Sequence, residues 1–159
     1  MMELHFYKNH NQALIEQYQL KDEHLRYTAI PAECIELSNI DTNRFPVLAI
    51  EEGQLVTFFV LHLGEGISTY TTNKHAILIR AFSTDFRHQG KGYAKIALSL
   101  LPEFVRSNFQ HMTEIILAVN VKNLAAQSLY KKCGFVDDGE RRIGAKGELV
   151  IMSYSLSSS

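Results

Sequence analysis

"STDFRHQGKGYAKIAL", residues 83–98, joins a strand-like run to a helix-like run through a basic turn that holds Gly90 and Gly92. Upstream, "HAILIRAF" (75–82) is rich in β-branched and aromatic residues, which suit a partly buried strand. Downstream, Ala94, Ala97, Leu98, Leu101 and Val105 recur at helical spacing and give an apolar face. Pro102 lies inside that face and predicts a kink or a division, because it cannot donate to a carbonyl one turn back. The turn has the makings of an anion cradle. Glycines let backbone approach a ligand closely, and unsatisfied N–H groups at a helix start point towards it. A glycine-rich turn with solvated charges would look the same over this stretch alone.

Two phosphate motifs are excluded by spacing. The nucleotide-hydrolase loop needs two glycines separated by four residues, then Lys and a hydroxyl, and "GKGYAK" has neither the spacing nor the hydroxyl. The dinucleotide fingerprint needs a third glycine where Lys95 stands, and places its loop near the first strand rather than past mid-chain.

Around this centre the order of elements is mixed. "LHFYK" near the start alternates like a short strand, and residues 9–20 and 22–39 predict short helices interrupted near Pro31. "FPVLAI", "EEGQ" and "LVTFFVLHL" predict strand, tight turn and strand. "TEIILAV" predicts a further strand, "NVKNLAAQSLYKKCGF" a helix, and "FVDDGERR" with "ELVIMSYSL" a closing pair of strands. The expected class is an α/β layered domain with a mixed sheet.

Composition narrows the function classes. The 159 residues are 46% hydrophobic and 21% charged, an ordinary globular profile for one domain. No apolar run approaches the roughly 20 residues of a membrane span, and "MMELHFYKNHNQ" does not have the form of a signal peptide. Cys34 and Cys133 stand far apart, as reduced thiols of a cytoplasmic protein would, and the scattered histidines give no metal spacing. Residues 1–86 carry six basic and eleven acidic side chains, a balance of -5, whereas residues 87–159 carry ten and six, a balance of +4. A polyanion docking on the second half would account for this, as would solvated surface charge. No dense basic stripe speaks for nucleic acid.

The predicted helix after "TEIILAV" carries the second motif. Asn123, Gln127 and Tyr130 lie at i, i+4 and i+7 and share one face, leaving Leu124, Ala125, Leu129 and Cys133 to pack on the sheet. Asn123 can cap the helix and Gly134 can take the left-handed position beyond its end. On its own, Tyr130 could equally be a core-edge residue with its hydroxyl in water.

Taken together, Arg87-x-x-Gly90-x-Gly92, Asn120-x-x-Asn123-x-x-Ala126-x-x-x-Tyr130 and Gly134-Phe135 resemble the GNAT superfamily of N-acetyltransferases, over roughly residues 75–136. The resemblance implies one GNAT domain over residues 1–156, with a mixed, mostly antiparallel central sheet flanked by helices, and a disordered tail at 157–159. It implies acetyl-CoA as co-substrate, no metal, and a homodimer such as many relatives form.

By the same resemblance, Arg87, His88, Gln89, Gly90, Lys91, Gly92 and Tyr93 would hold the diphosphate. Phe82, Ser83 and Thr84 would lie along the pantetheine arm, with Asn120, Asn123 and Ala126 on its other side. Lys131 and Lys132 would reach the ribose phosphate, although surface charge describes both equally well. Tyr130 would be the general acid that protonates the departing thiolate. The incoming ammonium needs a base, and the strand before the loop offers no carboxylate, with Arg80 occupying part of it. Glu23, Glu33, Glu65 or a chain of water are the alternatives.

The acceptor is the open question. "RRIGAKGELVIMSY" lacks the paired-tyrosine ending of ribosomal-protein acetyltransferases, and its run from Gly144-x-x-Gly147-Glu148 to Met152 looks more like small-molecule enzymes, the spermine/spermidine type included. Asp22, Glu23, Glu33 and Glu36 would suit a cationic, polyamine-like amine, and an amino-acid-like acceptor is the other small-molecule expectation. A protein N-terminal or lysine acetyltransferase, a non-catalytic acyl-CoA sensor and a plain nucleotide-phosphate binder are the competing readings.

Overall fold

A computed structural model describes residues 1–156; the expected tail at 157–159 lies outside the described residues. The chain begins with a short strand, Glu3–Phe6 (β1), and three short helices, Gln12–Gln17 (α1), Asp22–Leu25 (α2) and Pro31–Ile40 (α3). Pro31 opens α3 instead of interrupting a longer helix, because its missing N–H falls in a first turn that has no acceptor anyway. Arg44–Glu51 (β2) and Gln54–His62 (β3) follow as the expected hairpin. Its two turn residues, Glu52 and Gly53, have φ of 51° and 80°, the left-handed pair that a tight two-residue hairpin needs.

The rest alternates strand and helix before closing with a hairpin. Ala76–Thr84 (β4) leads through the glycine loop into Tyr93–Asn108 (α4), and Glu114–Asn120 (β5) leads into Leu124–Lys132 (α5). Val136–Gly144 (β6) and Gly147–Ser155 (β7) form the last hairpin of the described residues. The seven strands form one sheet in the order β1-β2-β3-β4-β5-β7-β6. Only β4 and β5 are parallel; every other neighbouring pair is antiparallel. This is the mixed, mostly antiparallel sheet that the resemblance implies. No helix among the described residues is long and apolar enough to cross a membrane.

Alternation along the strands builds two apolar layers. Val47, Phe59, Leu61, Ile77 and Ile79 pack against Leu98, Leu101 and Val105 of α4 and Tyr130 of α5. On the other face, Leu48, Phe58 and Val60 meet Ile15 of α1 and Cys34 of α3. Phe58, Phe59, Leu48 and Leu61 have no exposed surface, and each such side chain contributes about 1.5–3 kcal/mol relative to exposure.

The structure narrows one local expectation and corrects another. Helix α4 is not divided at Pro102, since buried Leu101 and Val105 on either side hold both halves to the same sheet face. In α5, Leu124 is 71% exposed and Ala125 is exposed, so neither packs on the sheet. Ala126, Leu129, Tyr130 and Cys133 face the core instead. The face shared by Asn123, Gln127 and Tyr130 is the inward one: the Gln127 amide donates to the carbonyls of Asn120 and Val121 at 3.2 and 2.9 Å, turning that side of the helix towards the end of β5.

The feature that positions the site is a fork between the parallel strands. β4 pairs with β5 only from Ala76↔Glu114 to Ile79↔Leu117. Beyond that point β4 stays with β3, from Val60↔Arg80 to Thr57↔Thr84, while β5 stays with β7 as far as Asn120↔Leu149. Ala81 adopts φ 55° where the β3–β4 register shifts, a bulge that bends β4 away from its parallel neighbour.

Candidate active site

The loop at the end of β4 is anchored by a buried carboxylate. Asp85 is fully buried and accepts from the backbone N–H groups of Gln19 (3.0 Å) and Arg87 (2.9 Å). It also accepts from Arg87 Nε at 3.0 Å and Nη2 at 2.7 Å. Burial works against its charge, but these hydrogen bonds and the guanidinium outweigh it and hold Asp85 below the usual carboxylate range. Arg87 donates further to the Gln17 carbonyl at 2.7 Å, so its guanidinium is turned towards α1. Sequence reasoning missed Asp85, whose position two residues before Arg87 was the available signal.

After a 3-10 turn at Phe86–His88, Gly90 and Gly92 take φ of 79° and 80°, and α4 starts at Tyr93. Among the described residues, none of the N–H groups from Gly90 to Lys95 has an acceptor. A Cβ on either glycine would meet no protein atom within 4 Å, so the cradle opens onto free space. A phosphate group fits this arrangement by its charge and by the row of donors. Lys91 is exposed beside it, His88 lies edge-on to Tyr93 at 6.1 Å, and the Gln89 amide bonds back to the Thr84 carbonyl at 3.2 Å.

The parted end of β4 carries Phe82, Ser83 and Thr84. Phe82 stacks on Phe59 at 5.7 Å, Thr84 Oγ1 lies 3.1 Å from Thr57 Oγ1, and Ser83 is held by Tyr18. The Tyr18 hydroxyl donates to the Ser83 carbonyl at 2.7 Å and lies 2.8 Å from Ser83 Oγ. Across the fork, Asn123 caps α5 by accepting from Ala126 N at 3.2 Å. The buried Asn120 donates from Nδ2 to the Lys146 carbonyl at 2.8 Å and accepts at Oδ1 from Lys122 N at 2.9 Å. Lys131 and Lys132 are exposed in the last turn of α5.

Tyr130 is where the two halves meet. Its ring is 8% exposed and lies edge-on to Phe82 at 6.0 Å and to Phe135 at 5.9 Å. No described residue takes a hydrogen bond from its hydroxyl. Burial pushes the phenol well above its ordinary range, with Cys133 adding to the shift, so it is protonated throughout the physiological range.

A cavity of about 400 Å³ lies at the end of β5, lined by Arg26, Tyr27, Asn120, Lys122 and Lys146. Lys146 Nζ donates to the Leu25 carbonyl at 3.2 Å and so ties the β6–β7 turn to the end of α2. None of Asp22, Glu23, Glu33 and Glu36 lines this cavity. Glu23, Glu33 and Glu65 are exposed and do not line it either. Among the described residues, no cluster of three or more His, Cys, Asp or Glu side chains is arranged to hold a metal ion.

Residues 6–135 match the model of the acetyltransferase (GNAT) family. The chain is 40% identical over 154 residues to the uncharacterized N-acetyltransferase YbbJ of Bacillus subtilis (strain 168), covering 96% of both chains. Its fold resembles that of the aminoglycoside acetyltransferase AAC(6')-Ib in complex with coenzyme A and kanamycin, with TM-score 0.79, 18% identity and coverage of 98% of this chain and 95% of that one. It also resembles the spermidine N-acetyltransferase of Vibrio cholerae in complex with CoA and spermine, with TM-score 0.72, 18% identity and the same coverage of 98% and 95%.

Proposed function

The chain belongs to the acetyltransferase (GNAT) family and is an acetyl-CoA-dependent N-acetyltransferase, and on that premise we propose that it transfers acetyl directly to a primary amine of a small molecule, with Tyr130 as general acid. The observation that carries this reading is the contact between Tyr130 and Phe82. It brings a buried, protonated phenol with an uncommitted hydroxyl to the parted segment of β4.

Acetyl-CoA supplies the acetyl group as a thioester. The N–H groups from Gly90 to Lys95 and the Lys91 ammonium bind its diphosphate, and the parted end of β4 and Asn123 flank the pantetheine arm. Tyr130 delivers a proton to the departing sulfur. A thiol has a pKa of about 8.5 and a phenol about 10 in water, so the phenol still holds its proton when the thiolate departs and can donate it within hydrogen-bond reach. The acceptor arrives as an ammonium and must lose a proton before attack. With no carboxylate on the parted strand or around the cavity, that proton leaves through water.

The test is thiol release from acetyl-CoA over a panel of polyamines, amino acids, aminoglycosides and peptides, alongside calorimetry of acetyl-CoA binding. Turnover of a small amine supports the reading. Binding without turnover of any amine would make the protein a sensor, and turnover of peptides alone would make the acceptor a protein.

A further inference from the structure

We infer that the acceptor amine also carries an anionic group, a carboxylate or a phosphate, and that Arg26, Lys122 and Lys146 recognise it; this rests on the acetyl-transfer reading above. The cavity at the end of β5, about 400 Å³, is within the size range of small-molecule sites. Its lining holds three cations, one phenol and one amide, with no carboxylate. None of the three cations is in an ion pair among the described residues. Lys146 spends one N–H on the Leu25 carbonyl and keeps two for a ligand.

The cations are also held in place from below. One buried side chain, Asn120, fixes the backbone of both lysines by donating to the Lys146 carbonyl and accepting from Lys122 N. Gln127 braces the same segment through the carbonyls of Asn120 and Val121. Arg26 and Tyr27 join the lining from the end of α2, next to the Leu25 carbonyl that Lys146 bonds. Three positive charges around one cavity with no carboxylate repel a polyammonium and attract an anion, so this lining selects against polyamines. The cradle at Gly90–Lys95 belongs to the end of β4, whereas these cations gather at the end of β5, which separates anion recognition on the acceptor from that on the donor.

The experiment compares amines with and without the anion, with kcat/KM taken per free amine because the anion also raises the ammonium pKa: an amino acid with its methyl ester, and an aminoalkyl phosphate with the corresponding aminoalkanol, with spermidine as the polycation. The anionic member of one pair should have a kcat/KM at least about tenfold above its neutral counterpart, and the two pairs separate carboxylate from phosphate. Arg26→Gln, Lys122→Gln and Lys146→Gln should each raise KM for that acceptor while leaving KM for acetyl-CoA and turnover of the neutral amine in place. Equal or better turnover of the neutral amines or spermidine would overturn the inference, as would variants that raise KM for acetyl-CoA instead. If no amine is turned over, calorimetry on the CoA-loaded protein decides. Binding of the anionic amine that the three variants abolish would keep the anion site and remove the acetyl-transfer reading, and no binding would remove both.

Discussion

The Arg87 guanidinium closes on the buried carboxylate of Asp85, Nη2 to Oδ2 at 2.7 Å, so this arginine holds the loop from beneath while Lys91 stands exposed at its mouth. The two cations should therefore fail differently. Arg87→Ala leaves a buried carboxylate without its ionic partner and should lower the melting temperature, by less than the loss of a fully buried pair would because Arg87 is 44% exposed. Lys91→Ala should leave the melting temperature in place and weaken acetyl-CoA binding about tenfold. Thermal melts and calorimetry on both variants check the split.

Gly90 and Gly92 need their positive φ, and neither needs its missing Cβ to avoid the protein itself. Alanine at either position should cost about 1–2 kcal/mol through backbone strain. It should also weaken acetyl-CoA binding, because the added methyl projects into the space the phosphate would use. Binding isotherms for Gly90→Ala and Gly92→Ala that match wild type would return the loop to a turn without a ligand.

His62 predicts an acid-sensitive segment of the stability curve. It is 1% exposed, and its Nδ1 accepts from Arg80 Nε at 2.8 Å, which leaves the proton on Nε2, 3.2 Å from Asp41 Oδ2. Burial first, then Arg80 and Arg44, hold His62 below its ordinary 6.5, with Asp41 opposing. Between the folded and unfolded values the unfolded chain binds the extra proton, so stability is complete above about pH 6.5 and falls as pH drops through the folded value. Melting temperatures should decline from pH 7 towards 5, and His62→Gln should flatten that decline. Asp41 and Asp85, both held below the carboxylate range, add a separate loss at still lower pH. Parallel curves for wild type and His62→Gln would contradict the assignment.

What could be read from the chain was what is local to it. The β2–β3 hairpin, the strand entering the glycine loop, the Asn123 cap and the positive φ of Gly134 all follow from neighbouring residues, and all are present. Pro102 left a kink or a division open, and α4 runs through it undivided with Leu101 and Val105 buried on either side. Leu124 misled because apolar character alone does not fix the rotation of a short helix whose start is tied down by Gln127. The basic cavity was out of reach, because Arg26 and Lys146 meet only when the β6–β7 turn docks on α2. The acidic residues of the N-terminal half suggested a cationic acceptor, yet none of those considered lines the cavity.

The central claim is that Tyr130 is the general acid, and its isolated hydroxyl makes the test clean. Tyr130→Phe keeps the ring against Phe82 and Phe135 and breaks no hydrogen bond to a described residue, so folding and acetyl-CoA affinity should stay nearly unchanged. The decisive measurement is kcat of Tyr130→Phe at saturating acetyl-CoA and acceptor. A fall of about 100-fold or more is the predicted result, the scale of a lost general acid; a kcat equal to that of wild type would contradict the account.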